Sequence, residues 1–385
     1  MLFRSTRERD RADRIATFMT GMFKVSNPSA ARGNSITARE ILDKASKEID
    51  TGLSKDPELQ AQMMQTMGDV YKSLGLYPQA QSLLTRAVDI RRRVLGPQNP
   101  DTLASMSSLG RNLSQQGRHS EAEGLLRETL DIQRRVLGPE HPDTLRSMNS
   151  LAIVLGDEGR HAEAEKLDRE TLDIRHRILG PEHPDTLASM HNLAFVLDDE
   201  GRYAEAEKLD RETLDIGRRI LGSEHPDTLK TMNTLANVLG EEGRYAEAEK
   251  LERETLDTRR RILGPEHRDT LQSMNNLAAV LVPEGRDAEA EKLFREALHI
   301  QRRVLGPEHP DTANSTYNVA CVLARKGNRD EALSLLREAV DHGLRPNTDL
   351  GIEKDPDLQS LHGDPRFAAL VVHAKERAAA ARRPK

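Results

Sequence analysis

A Gly-Pro-Glu-His-Pro-Asp-Thr motif, with small variations, returns every 42 residues, its first glycines being Gly96, Gly138, Gly180, Gly222, Gly264 and Gly306. A second glycine keeps the same interval at Gly75, Gly117, Gly159, Gly201, Gly243, Gly285 and Gly327. A fixed period punctuated twice holds two elements joined by two turns, and such a chain grows by stacking rather than by closing one core. The 385 residues therefore need not divide into globular domains. Any function becomes a question about surfaces.

The third period shows how each unit is built. Leu145, Met148, Leu151, Ala152 and Leu155 form an apolar stripe of helical spacing, and Ala152 stays small for close approach. Pro142, Asp143 and Thr144 are expected to supply the capping oxygens of this helix A, and Gly159 the left-handed residue that ends it. Helix B is expected from about Ala162 to Leu179, with Ala164, Leu167, Leu172, Ile174 and Ile178 buried. Its acidic residues gather in the first turn and its basic ones near the last, as the helix dipole favours. Gly180-Pro181 stops it. No strand signal appears.

The spacing of Met148, Leu151-Ala152, Leu155, Gly159, Ala164, Leu167 and Leu172 resembles the tetratricopeptide repeat, stretched to 42 residues as in kinesin light chains and many bacterial and fungal arrays. The resemblance implies an all-α fold, a right-handed superhelical solenoid of antiparallel helix pairs. Seven units are expected over residues 57–343, beginning near Pro57, Asp101, Asp143, Asp185, Asp227, Asp269 and Asp311. Residues 1–35 read as an amphipathic helix with Ile15, Phe18, Met19, Met22 and Phe23 on one face, then a linker. Residues 36–56 read as a capping helix and 344–385 as a C-terminal cap. Residues 7–92 resemble the segment that joins kinase domain to repeats in a class of bacterial membrane-bound serine/threonine kinases, although this sequence has neither the kinase nor its membrane helix.

Composition narrows the function classes. Charged residues make up 31% of the chain and aromatics 3%, with no tryptophan, which suits solvated helices sealed by leucine and alanine. A net charge of -6 gives no general pull towards nucleic acid or an acidic membrane. Cys321 is the one cysteine and cannot form an internal disulfide. No apolar run is long enough to span a bilayer and no secretory leader is evident, so cytoplasmic localisation without membrane insertion is expected.

Motifs with chemical associations have plainer explanations. His267-Arg268-Asp269 resembles part of a kinase catalytic loop, but the following Asn275 is one position late and the other kinase signatures are missing. His141, His183, His225, His267 and His309 each sit alone in a connector, where packing and helix capping are expected of them. Stacked helices lie about 8 to 10 Å apart, too far for neighbouring side chains to share zinc. No catalytic residue, cofactor or metal is expected, so the chain is not read as an enzyme.

The groove remains. The resemblance places the inner wall on helix A, on the residue after each methionine and the one a turn further on. The first set includes Asn149, His191, Asn233, Asn275 and Tyr317; the second includes Ile153, Phe195 and Asn237. Asparagine both donates to and accepts from a peptide backbone. Ile153 and Phe195 offer an apolar anchor, and Asp198, Asp199 and Glu241 an acidic wall. The expected function is a non-catalytic scaffold binding an extended peptide or disordered segment that carries basic residues beside an apolar one. The alternative is a free-standing regulatory module, related to a kinase sensor region, that self-associates through its N-terminal helix.

Overall fold

The computed structural model describes residues 38–344 and 351–381. The expected helix over residues 2–25 and its linker lie outside them. Among the described residues every regular element is helical. No helix there is long and apolar enough to cross a membrane.

The chain forms two compact units, Met1–Pro181 and Glu182–Lys385. In the first, α1 (Ala38–Gly52) precedes three antiparallel pairs: α2 (Pro57–Ser73) with α3 (Tyr77–Val94), α4 (Pro100–Gln115) with α5 (His119–Val136), and α6 (Pro142–Asp157) with α7 (His161–Leu179). The second has four pairs: α8 (Pro184–Asp199) with α9 (Tyr203–Ile220), α10 (Pro226–Glu241) with α11 (Tyr245–Leu263), α12 (Arg268–Leu281) with α13 (Asp287–Val304), and α14 (Pro310–Arg325) with α15 (Arg329–Asp341). Two short 3-10 turns, Ile352–Lys354 and Pro356–Leu361, lead to α16 (Pro365–Ala381).

Helix A follows its sequence pattern. Leu145, Met148, Leu151, Ala152 and Leu155 are all at most 2% exposed. Ala152, Ala194, Ala236 and Ala278 are fully buried, as close helix approach requires. The end of α6 is a Schellman turn: Gly159 takes φ +76, its N–H donates to Gly156 O, and Arg160 N donates to Leu155 O at 2.8 Å.

Capping departs from expectation in part. The connector histidine caps helix A, as expected of it, but the Pro-Asp-Thr that follows does not: His141 Nδ1 accepts from Asp143 N at 3.2 Å. His183, His225, His267 and His309 do the same, and Asn99 Oδ1 replaces the imidazole in front of α4. Proline at the first helical position sets the backbone so that the residue before it is the cap. The threonine hydroxyl turns back instead, from Thr144 to Gly138 O and from Thr270 to Gly264 O.

Helix B also differs. The buried line of α7 is Ala164, Asp168, Thr171 and Arg175, while Leu167, Leu172 and Ile174 are half-buried and Ile178 is 39% exposed. Spacings of 4, 3 and 4 residues point the first set at the paired helix, and the apolar residues flank that line. Hydrophobicity alone selected the flanks. Successive pairs are also tied by arginines at the start of helix B: Arg160 bridges Glu123 and Glu163, Arg244 bridges Glu207 and Glu247, and Arg286 bridges Glu249 and Glu289.

Candidate peptide-binding groove

In the first unit the A helices α4 and α6 pack side by side. Ile153 on α6 is 50% exposed, and Asn149, one turn earlier, is half-buried with an Oδ1 that has no hydrogen-bond partner. In the second unit α8, α10 and α12 lie side by side. Along α8 the residues pass from His191, 6% exposed, to Phe195, 51% exposed, and then to the half-buried Asp198 and exposed Asp199. Along α10 come the half-buried Asn233, then Asn237 and Glu241, both exposed. Phe195 is thus an open aromatic face beside carboxylates and amides.

Other expected groove residues have partners inside the fold. Asn275 on α12 is buried and donates from Nδ2 to Ser315 Oγ at 2.7 Å. Tyr317 on α14 is buried, and its hydroxyl donates to Asp355 of the C-terminal segment. That segment closes Tyr317 to a ligand. It also covers Cys321, whose thiol is pushed well above its ordinary value by burial and by the Asp355 and Asp357 carboxylates. A thiol held protonated in this way is a poor nucleophile.

The wall at the end of α8 is electrostatically strained. Burial, with Asp199 and Glu241 nearby, pushes Asp198 up to about 6, and its Oδ1 has no hydrogen-bond partner. A cation placed there would relieve both effects. His191 moves the other way, down to about 3, through burial and the Lys230 ammonium, so its imidazole is neutral at ordinary pH. It faces the Thr234 hydroxyl at 3.4 Å.

One position of helix B is buried and acidic in three successive periods, which the sequence reading did not single out. Asp168, Asp210 and Glu252 are at most 2% exposed, and burial lifts them to about 7, about 8 and about 8. With its amide oriented to satisfy its neighbours, Asn233 spans Glu252 and Arg259: its nitrogen donates to Glu252 Oε2 at 3.3 Å and its oxygen accepts from Arg259 at 3.2 Å. A signal was available in the aligned periods. The position reads Leu84, Leu126, Asp168, Asp210, Glu252, Phe294 and Leu336, an acidic interruption in an apolar column.

Among the described residues no group of three or more potential ligands is placed to hold a metal ion. His267 caps α12, and Arg268 pairs with Asp311 at 2.6 Å, so the His-Arg-Asp triplet is structural.

The sequence profile of the tetratricopeptide repeat matches residues 59–135, 115–175, 149–216, 185–261 and 269–342. No curated protein matches the chain significantly. Among solved structures, a Podosopora anserina protein assigned as a kinesin light chain, with nearly identical TPR-like repeats, is 30% identical; the match covers 53% of this chain and 97% of that one, at a TM-score of 0.45. A tetratricopeptide repeat protein from Parabacteroides merdae is 15% identical over 82% of this chain and 98% of its own, at a TM-score of 0.48. The apo form of RapI is 16% identical over 74% and 97%, at 0.53, a likeness of fold alone.

Proposed function

Since the chain belongs to the tetratricopeptide repeat family, we propose that it is a scaffold whose helix-A face holds an extended peptide or disordered segment of a partner protein. The family fold is all-α, a right-handed solenoid of helix-turn-helix units, and it serves as a non-catalytic protein interaction module; this array is of the kinesin-light-chain-like kind.

The observation that carries the groove reading is Phe195, half exposed on α8 with Asp198 one turn away. An aromatic side chain left in water beside an under-solvated carboxylate is suited to a ligand that brings an apolar group and a cation together. Asn237 on the neighbouring helix offers its amide to the ligand backbone, whereas the Asn233 amide is held by Glu252 and Arg259; Asn149 and Ile153 offer the same chemistry within the first unit. Cytoplasmic placement belongs to this reading. Selection from a random peptide display library tests it. Sequences enriched in basic residues next to an apolar one, and no longer retained by Phe195→Ala, support it; equal retention by that variant overturns it.

The second reading, a regulatory module descended from a kinase sensor region and self-associating through residues 2–25, rests on residues outside those described. Light scattering of the chain with and without residues 1–35 tests it directly.

A further inference from the structure

One buried position of the repeat carries a guanidinium group in three periods. At the 42-residue interval it reads Arg91, Gln133, Arg175, Gly217, Arg259 and Gln301. Each arginine there is 7% exposed. The Arg91 head donates to Gln65 Oε1, to Asp101 O at 2.9 Å and to Ser105 Oγ at 2.6 Å. The Arg259 head repeats the set with Asn233, Asp269 O at 3.2 Å and Ser273 Oγ at 2.7 Å. Each receptor therefore combines a side chain on the helix A of its own pair with a carbonyl and a hydroxyl on the next helix A.

Gly217 on α9 leaves the corresponding receptor without its arginine. By the same interval its three acceptors are His191, Asp227 O and Thr231 Oγ1. They line a cavity of about 40 Å³, together with Thr213 and Lys230. That is room for about three waters, comparable with the head of an arginine. Thr231 Oγ1 donates to Asp227 O at 3.1 Å. His191 is neutral and so can accept. The mouth is open, because Ala188, Asp227 and Lys230 are exposed. Two turns earlier on α9, Asp210 is fully buried and meets the Thr234 hydroxyl, which also faces His191.

We propose that the niche at Gly217 receives an arginine side chain supplied by the bound partner, which completes in trans the receptor that Arg91 and Arg259 fill in cis. The proposal takes its peptide context from the groove reading and adds a spacing to it. From His191 to Asp198 is seven residues of α8, about 10 Å of helix rise or about three residues of an extended chain. The partner then presents arginine at the niche, an apolar residue at Phe195, and a second basic residue about three positions from the arginine at Asp198. Lys230 at the mouth opposes an entering cation, so its removal favours binding.

The probe is a single residue, N-acetyl-arginine amide, titrated into the full chain while the His191 ring resonances are followed by NMR, with N-acetyl-citrulline amide as the neutral isostere. The expected result is a saturable shift, at least fivefold weaker for citrulline, tighter in Lys230→Ala and absent in Gly217→Arg. Should Gly217→Arg fold poorly, Gly217→Gln, which places there the residue of Gln133 and Gln301, takes its place with the same expectation. Equal responses to the two probes, no saturable shift, weaker binding in Lys230→Ala, or a response that survives filling of the niche would each overturn the proposal. A single residue needs no groove, so failure of peptide selection leaves this test intact, and failure here leaves the groove reading standing.

Discussion

Gly110 on α4 and Leu126 on α5 fit as a pair: the Cβ that Gly110 lacks would lie 2.7 Å from Leu126 Cγ, and Leu126 is fully buried. Gly68 and Leu84 repeat the relation at 2.8 Å. In the next three periods the glycine becomes Ala152, Ala194 and Ala236, and the leucine becomes Asp168, Asp210 and Glu252.

Two glycine substitutions separate packing from helix propensity. Alanine within a helix gains about 1 kcal/mol over glycine, whereas overpacking a tight core costs about 1 to 3 kcal/mol. Gly110→Ala should be net destabilising, by up to about 2 kcal/mol. Gly124→Ala on α5, with nothing within 4 Å of the added carbon, should stabilise by about 0.5 to 1 kcal/mol. Urea unfolding ranks the two, and the opposite order would contradict the packing argument.

The connector histidines should behave as caps. His183→Ala removes the acceptor of Asp185 N and should cost about 1 kcal/mol. His183→Asn should be close to neutral, because Asn99 already performs the same task before α4. Thermal unfolding of the pair decides the matter; an equal loss in both would mean that the imidazole contributes by packing.

The buried carboxyls set a pH dependence. Asp210 and Glu252 are raised to about 8 by burial, so the folded unit binds their protons more tightly than the unfolded chain does. Stability then falls as pH rises from the ordinary carboxylate range towards 8, and levels off above it. His191, depressed to about 3, has the reverse sign: its contribution is complete above the ordinary histidine value and is lost as pH falls through that value towards 3. From pH about 6.5 to 8 the histidine restores only about 0.4 kcal/mol as its unfolded form loses its remaining charge, while Asp210 and Glu252 together lower stability by about 3 kcal/mol. Asp210→Asn and Glu252→Gln should flatten the profile. Urea midpoints at the two pH values measure it, and a wild-type profile that rises over this window would refute the assignment.

Phe195→Ala should weaken binding of a library-selected peptide by about 2 kcal/mol while leaving the unfolding midpoint nearly unchanged, since half of the ring is in water. Charge reversal at Asp198 and Asp199 should slow association with basic peptides and flatten its salt dependence. Fluorescence titration at two salt concentrations reads both. A Phe195→Ala chain that binds normally but unfolds more easily would make Phe195 a packing residue.

The groove was legible where a residue's fate depends on its own helix. Phe195 stands outside a stripe already filled by Met190, Leu193, Ala194 and Leu197, and it is exposed as that pattern implies. Asn275 and Tyr317 occupy equivalent inner-wall positions, yet Ser315 on the next helix A holds one and Asp355 beyond the last pair holds the other. Both partners lie about forty residues away, so no local pattern marks them.

By itself the sequence determined the helix pairs, their turns and their small contact residues, because a 42-residue period with glycines at both turns constrains backbone and side-chain spacing locally. Tertiary structure decided which polar groups are buried. Asp168, Asp210 and Glu252, which hydrophobic spacing does not single out, are core residues because the line facing the paired helix is fixed by packing. The niche at Gly217 was likewise decided by neighbours: a glycine leaves space only where the helix A of its own pair brings a histidine and the next helix A a hydroxyl and a carbonyl around it.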